Sequence, residues 1–289
     1  MKDYVVAIGT IVIDEYIKVD EWPSLADKAI ASKISTELGG MISNYSCNLA
    51  TTGVKTYLLQ QFAQDEYITI FKQELDKYGV DYSYCTINEQ IETTKCIVAN
   101  TKGERTILIV DGKNEPLVLN DVAIDLLNNS KYVFSTIPYL KNLSNNKEII
   151  ETFVKEGTKL MIDIEPSSFI NCDDIDFYLR NASILIFNEF GFKKYSEYIG
   201  MNAYDYLKKS DKIVIITKGS HGAELINKDE VISVLSKKVA VVDTTGAGDM
   251  FSATFTYGLM NNMNKKEALV ASNEAAAKHI TYMGPKRKI

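Results

Sequence analysis

Two glycines and an aspartate stand where an apolar helical run begins in VVDTTGAGDMFSATF, Val241 to Phe255. A glycine inside a helix costs about 1 kcal/mol relative to alanine, and Thr244 or Thr245 would cap such a helix well. Gly246 and Gly248 therefore answer a need other than helix stability. The free N–H groups and partial positive charge of a helix start receive anions, and glycine lets a phosphate approach the backbone. Gly246, Ala247 and Gly248 fit that description. The segment is not GxxxxGK[ST], which occurs nowhere in the chain, and not GxGxxG, because Phe251 stands at the last glycine position. Nor is it a capping box, since Gly248 rather than an acid lies three residues after Thr245. An acid in the first turn suits the helix dipole. Beside two glycines, Asp249 can also take the proton of a hydroxyl while the backbone steadies a phosphoryl group in transfer. That is the chemistry of a small-molecule kinase.

A second glycine segment, ELGGMISNYSCNLATTG, runs from Glu37 to Gly53. Gly39 and Gly40 precede a helix with Ser43 or Asn44 near its start and Gly53 at its end. Paired glycines let a ligand lie against the backbone, and the Asn44 amide can both donate to and accept from sugar hydroxyls. A tight turn followed by an N-cap explains the same residues equally well. Elsewhere, His221 and His279 show no metal spacing, and a solvated helix start explains the acids of CDDID from Cys172 as well as any metal does. Cys47, Cys85, Cys96 and Cys172 form neither a CxxC pair nor a disulfide framework.

The elements that must position these residues are legible as alternating runs. YVVAIGTIVI, from Tyr4, is β-branched and too apolar for a one-faced strand, which predicts a strand of a parallel sheet buried on both faces. Asp14 would sit at its carboxyl end, where open α/β sheets bind ligands, although a turn residue would look the same. TYLLQQF from Thr56, KYVFSTI from Lys131, KLMIDI from Lys159, ILIFN from Ile184 and KIVIIT from Lys212 repeat the pattern. Helical stretches separate most of them: Ile68 to Tyr78 closed by Gly79, Asn145 to Lys155 closed by Gly157, and Ala203 to Lys209. The alternation predicts an α/β fold with a mainly parallel sheet between helices, in one domain over 1–289. Two segments, about 16–38 and 93–110, carry strands without crossover helices, the second a hairpin turning at Lys102 and Gly103. They form either a small β-sheet lid over the ligand edge or an antiparallel extension of the main sheet.

A 289-residue chain with 46% hydrophobic and 24% charged residues is globular rather than disordered. Its net charge of -6 argues against a nucleic-acid surface and for a small-molecule partner. The first apolar run is too short to span a membrane and lacks a cleavage pattern, so a cytoplasmic protein is expected.

Together the two glycine segments resemble the signature regions of the ribokinase family, also called the PfkB carbohydrate kinases; DTTGAGD matches that family's catalytic segment residue for residue. The resemblance covers nearly the whole chain and implies a three-layer ribokinase-like fold with a β-sheet lid. It further implies transfer of the ATP γ-phosphoryl group to a hydroxyl, expected to be a primary one, of a sugar or sugar derivative. Asp249 would be the base, and Gly246, Ala247 and Gly248 the anion hole. GTIVIDEYIKVD resembles the family's first strand and makes Asp14 a sugar ligand with Gly39, Gly40 and Asn44; Arg105 could meet an acidic substrate. ITKGSHGAEL and ASNEAAAKHITYMG resemble the nucleotide-binding turn and C-terminal helix, which places Thr217, Lys218, Gly219, Gly222, Asn273 and Gly284 beside ATP. Asp243 and Thr245 would belong to a site for a monovalent cation such as K+. The family's Asn-x-x-Glu, which helps organise Mg2+, reads NEFG here, keeping Asn188 but putting Gly191 in place of the glutamate. The rivals are a nucleoside kinase of the same family and a non-catalytic sugar or nucleotide sensor; homodimerisation through the lid is a further expectation.

Overall fold

Contiguous β-branched runs become central strands only if both their faces find apolar partners, and the computed structural model shows where those partners lie. It describes residues 2–101, 104–171 and 173–287, the side chains of Glu104, Arg105 and Asn171 apart. In chain order the strands are β1 (Tyr4–Ile8), β2 (Val12–Val19), β3 (Ala31–Gly39), β4 (Lys55–Leu59), β5 (Gln61–Ala63), β6 (Thr86–Asn88) and β7 (Lys95–Thr101). They continue with β8 (Glu104–Val110), β9 (Tyr132–Thr136), β10 (Lys159–Ile164), β11 (Ala182–Asn188), β12 (Ile213–Thr217), β13 (Ala223–Ile226) and β14 (Val231–Val234). The main sheet has eight strands in the order β14-β13-β12-β11-β10-β9-β1-β4. From β4 to β12 every pairing is parallel; β13 and β14 close one edge antiparallel.

The period of two in a strand sorts side chains between two cores. Val6 and Ile8 enter a core with the helices Asp121–Asn129, Asn146–Lys155 and Glu189–Ile199. Val5 and Ala7 enter the opposite one with the helices Met41–Ala50, Ala247–Met260 and Lys265–His279. The fold is therefore the expected three-layer α/β/α arrangement. Strand order reverses at β1, which pairs β4 on one side and β9 on the other, so the carboxyl ends of β1, β9, β10 and β11 border a topological switch point.

One expectation is corrected. Tyr4 to Ile13 is not a single strand: β1 ends at Ile8, and the chain enters β2, in another sheet, at Val12. Asp14 thus sits within β2. That second sheet has four strands, ordered β3-β2-β7-β8, and is separate from the main one. It takes up the two segments without crossover helices; their hairpin turn, Lys102 and Gly103, lies outside the described residues. The helix expected over 203–209 is shorter, Ala203–Leu207, while Ile68–Tyr78 with left-handed Gly79 stands as read.

Candidate active site

The start of the Met41–Ala50 helix is fixed from both sides. Gly40 is its N-cap residue at φ 94, and the Ser43 hydroxyl donates to the Gly39 carbonyl at 2.6 Å. Behind it, the Tyr45 ring stacks on Phe134 with centroids 3.6 Å apart, and its hydroxyl donates to Thr256 Oγ1 at 2.9 Å. Thr256 belongs to the Ala247–Met260 helix, so the two glycine segments found in the sequence are locked together by their own helices. Gly39 has a specific reason to lack a side chain. A Cβ there would lie 2.3 Å from the carboxyl carbon of Asp14, so the glycine makes room for that carboxylate as well as for any ligand. Asp14 is 9% exposed. Burial pushes its carboxyl up to about 6, against the pull of Lys286 and of a hydrogen bond with Cys96.

Asn44 faces the other way along the same helix. Its Nδ2 donates to Asp249 Oδ2 at 2.9 Å. Its Oδ1 is buried and has no hydrogen-bond partner, an arrangement a protein keeps only where something else satisfies it. Burial pushes the Asp249 carboxyl up to about 7, opposed by the Asn44 hydrogen bond and the Lys286 charge and reinforced by Glu165. Asp163, on β10, is pushed up to about 8 by burial and then by Asp249. The Asp249 charge thus adds to burial in hindering the ionisation of Asp163.

Three of these participants, Asp163, Glu165 and Lys286, escaped the sequence reading. Asp163 had a signal, an acid inside the apolar run LMIDI. Lys286 had none, yet it is 7% exposed and its Nζ donates to the Leu38 carbonyl.

The turn before the second helix is built from inside the chain. Gly246 is the N-cap residue at φ 75, a left-handed conformation, and a Cβ on it would come 2.4 Å from the Pro285 carbonyl oxygen. Only glycine fits there. A Cβ on Gly248 would meet nothing within 4 Å, so that residue opens onto free space. The space is a cavity of about 590 Å³ whose lining includes Thr217, Gly219, Gly222, Ala247, Gly248 and Asn273. Six separately identified residues therefore share one cavity, and it adjoins the turn that carries Asp249. Lys218 is engaged instead with Glu224, at 3.0 Å. Asn273 donates to the Leu235 carbonyl at 2.8 Å, and Gly284 N–H donates to Asp243 Oδ2 at 3.1 Å. The Arg105 side chain lies outside the described residues.

Asn188 caps the Glu189–Ile199 helix by accepting from Gly191 N–H at 2.7 Å. A Cβ on Gly191 would lie 2.8 Å from the Ile164 carbonyl oxygen, so close helix–strand contact explains this glycine. Among the described residues no group of three or more acidic, histidine or cysteine side chains could hold a metal ion. A Mg2+ that arrives on substrate phosphates with its own waters would need no such group. Around Asp243 and Thr245 the oxygens meet protein donors: Asp243 Oδ1 accepts from Thr245 N–H at 2.9 Å, and His279 Nε2 lies 2.9 Å from the Thr245 carbonyl oxygen. Burial lowers the His279 pKa below its ordinary value.

A buried carboxylate beside a helix start that opens onto a cavity, on an open α/β sheet, is an arrangement suited to phosphoryl transfer. The chain belongs to the pfkB family of carbohydrate kinases, whose sequence pattern it matches over residues 2–289. It is similar to an uncharacterized sugar kinase of Archaeoglobus fulgidus, 27% identical over 241 residues, covering 82% of this chain and 95% of that protein. The crystal structure of Thermotoga maritima ribokinase superimposes with a TM-score of 0.84 at 23% identity, covering 98% and 94% of the two chains. Arabidopsis thaliana ribokinase complexed with ribose and ATP gives 0.80 at 22% identity, again covering 98% and 94%.

Proposed function

We propose that this sugar kinase transfers the γ-phosphoryl group of ATP to a primary sugar hydroxyl, with Asp249 as the base. The observation that carries the reading is the Asn44–Asp249 hydrogen bond beside an unpartnered Asn44 Oδ1. A sugar hydroxyl donating to that oxygen would hold its neighbour against the carboxylate. Asp14, against Gly39, would accept from further hydroxyls. Asp249 takes the proton as the hydroxyl oxygen bonds to phosphorus and the bond to the ADP oxygen breaks. The backbone N–H groups of the first helical turn, around Gly248, steady the charge on the transferring oxygens.

The cavity bounded by Thr217, Gly219 and Asn273 would take the nucleotide. Mg2+ supplies neutralisation of phosphate charge when bound, and Asp163, Glu165 and Asn188 are the polar groups at the adjoining strand ends. The four-stranded sheet would act as a lid that keeps water from intercepting the phosphoryl group. Its edge strand β8 exposes Ile107, Leu108, Ile109 and Val110, and we assign that edge to pairing with a second copy. We assign the reaction to the cytoplasm, as an ATP-consuming step on a small sugar. No helix among the described residues is long and apolar enough to cross a membrane. Coupled measurement of ADP release over a panel of pentoses, hexoses and nucleosides tests the reading. Turnover with a sugar supports it, and ligand binding without turnover on any member would identify a sensor instead.

A further inference from the structure

We propose that His279 does the work of a monovalent cation beneath the phosphate-binding turn, so that this kinase needs no such ion. The inference rests on the kinase reading and concerns the support of its anion hole.

Asp243 and Thr245 are the residues from which a cation site would be built, and their oxygens already face donors. The two Asp243 carboxylate oxygens accept from Thr245 N–H at 2.9 Å and from Gly284 N–H at 3.1 Å. The Thr245 carbonyl oxygen faces His279 Nε2 at 2.9 Å. A carbonyl only accepts, so Nε2 carries a proton, and the positive end of that N–H dipole supplies the Thr245 carbonyl oxygen with the charge a cation would offer it. The ring is 0% exposed and stands edge-on to Tyr282, with centroids 5.1 Å apart and Nδ1 3.0 Å from the Tyr282 hydroxyl. The imidazole is therefore held by contacts at both ring nitrogens.

The consequence is mechanical. Thr245 immediately precedes Gly246, whose left-handed turn aims the backbone of Ala247 and Gly248 into the nucleotide cavity. Donation from a buried side chain fixes the Thr245 carbonyl, and with it the pitch of that turn. His279 is a positioning residue that touches neither substrate nor nucleotide, and the anion hole is held entirely by the chain's own groups.

Two measurements on the wild-type protein read this directly. Its melting temperature should be the same in potassium, sodium and tetramethylammonium chloride at equal ionic strength, whereas a cation bound to the folded state would raise it with concentration. The 15N spectrum of the two histidines, assigned with His279→Gln, should show His279 protonated at Nε2. In the kinase assay, turnover should not change when potassium is replaced by tetramethylammonium. His279→Ala should lose turnover and regain part of it on adding potassium; His279→Gln, which keeps an N–H donor, should stay insensitive. A potassium-specific rise in melting temperature, a ring protonated at Nδ1 alone, or about tenfold activation of the wild type by potassium would overturn the proposal. Absence of turnover on every sugar would count against the kinase reading alone, since melting and the 15N spectrum would still decide this one.

Discussion

Asn44 Nδ2 and Asp249 Oδ2 lie 2.9 Å apart although the residues stand 205 positions apart in the chain. The contact joins the helix that follows the paired glycines to the helix that follows the left-handed Gly246 turn. It ties the group that would hold the sugar to the group that would deprotonate it.

A base must be ionised to act, and burial holds the Asp249 carboxyl at about 7. The pH profile of kcat/KM should therefore have an acid limb near neutrality, losing about tenfold per pH unit below it. Because Asp163 interacts with Asp249, the apparent value belongs to the pair. Asn44→Ala removes the hydrogen bond that favours ionisation, so the limb should move to higher pH; an unmoved limb would separate Asn44 from the base. The stability sign is opposite to that of a salt-bridged acid. A raised carboxyl contributes stability that is fully present below its unfolded pKa and lost as pH rises through about 7. Asp249→Asn should accordingly melt above the wild type under mildly alkaline conditions and converge with it in acid.

Gly39→Ala would place a Cβ 2.3 Å from the Asp14 carboxyl carbon. The carboxylate must then swing away from the place where we propose the sugar binds. The KM for sugar should rise about tenfold or more while nucleotide affinity holds, as read by kinetics and by nucleotide titration of the same preparation. Unchanged sugar KM would remove Asp14 from the site.

Gly191→Glu restores the carboxylate that the family carries at this position. Here the new Cβ would lie 2.8 Å from the Ile164 carbonyl oxygen, and the overpacking should cost about 1–3 kcal/mol in denaturant unfolding. Mg2+ should be bound no more tightly. A stable variant with a lower Mg2+ requirement would show that this glycine is a lost ligand rather than a packing device.

Ile107→Glu together with Ile109→Glu should leave the main sheet intact, since both side chains are exposed on β8. If the strand edge pairs two copies, sedimentation should show a dimer for the wild type and a monomer for the variant. A wild type that sediments as a monomer at all concentrations would refute that pairing.

The sequence disclosed most where chemistry and local structure demand the same residue. Gly246 is needed by a left-handed turn and by the close approach of Pro285, and the parallel strands announced themselves because both faces of each must be apolar. The break after Ile8 stayed hidden because only Gly9 and Thr10 interrupt the β-branched run, and a lone glycine in a strand reads equally well as a bulge. Lys286 was illegible for another reason. A lysine near a chain end looks solvated, and its burial against the Leu38 carbonyl is a tertiary fact. Likewise His279 lacks any metal-like spacing, and its partner, the Thr245 carbonyl, has no signature in a sequence.

The central claim is that Asp249 is the base, and the most direct measurement is turnover of Asp249→Asn beside its affinity for nucleotide. With the best sugar of the panel, kcat should fall by about 10²–10⁴, while the dissociation constant for ATP stays near the wild-type value because the cavity lining is untouched. Wild-type turnover in this variant would contradict the account.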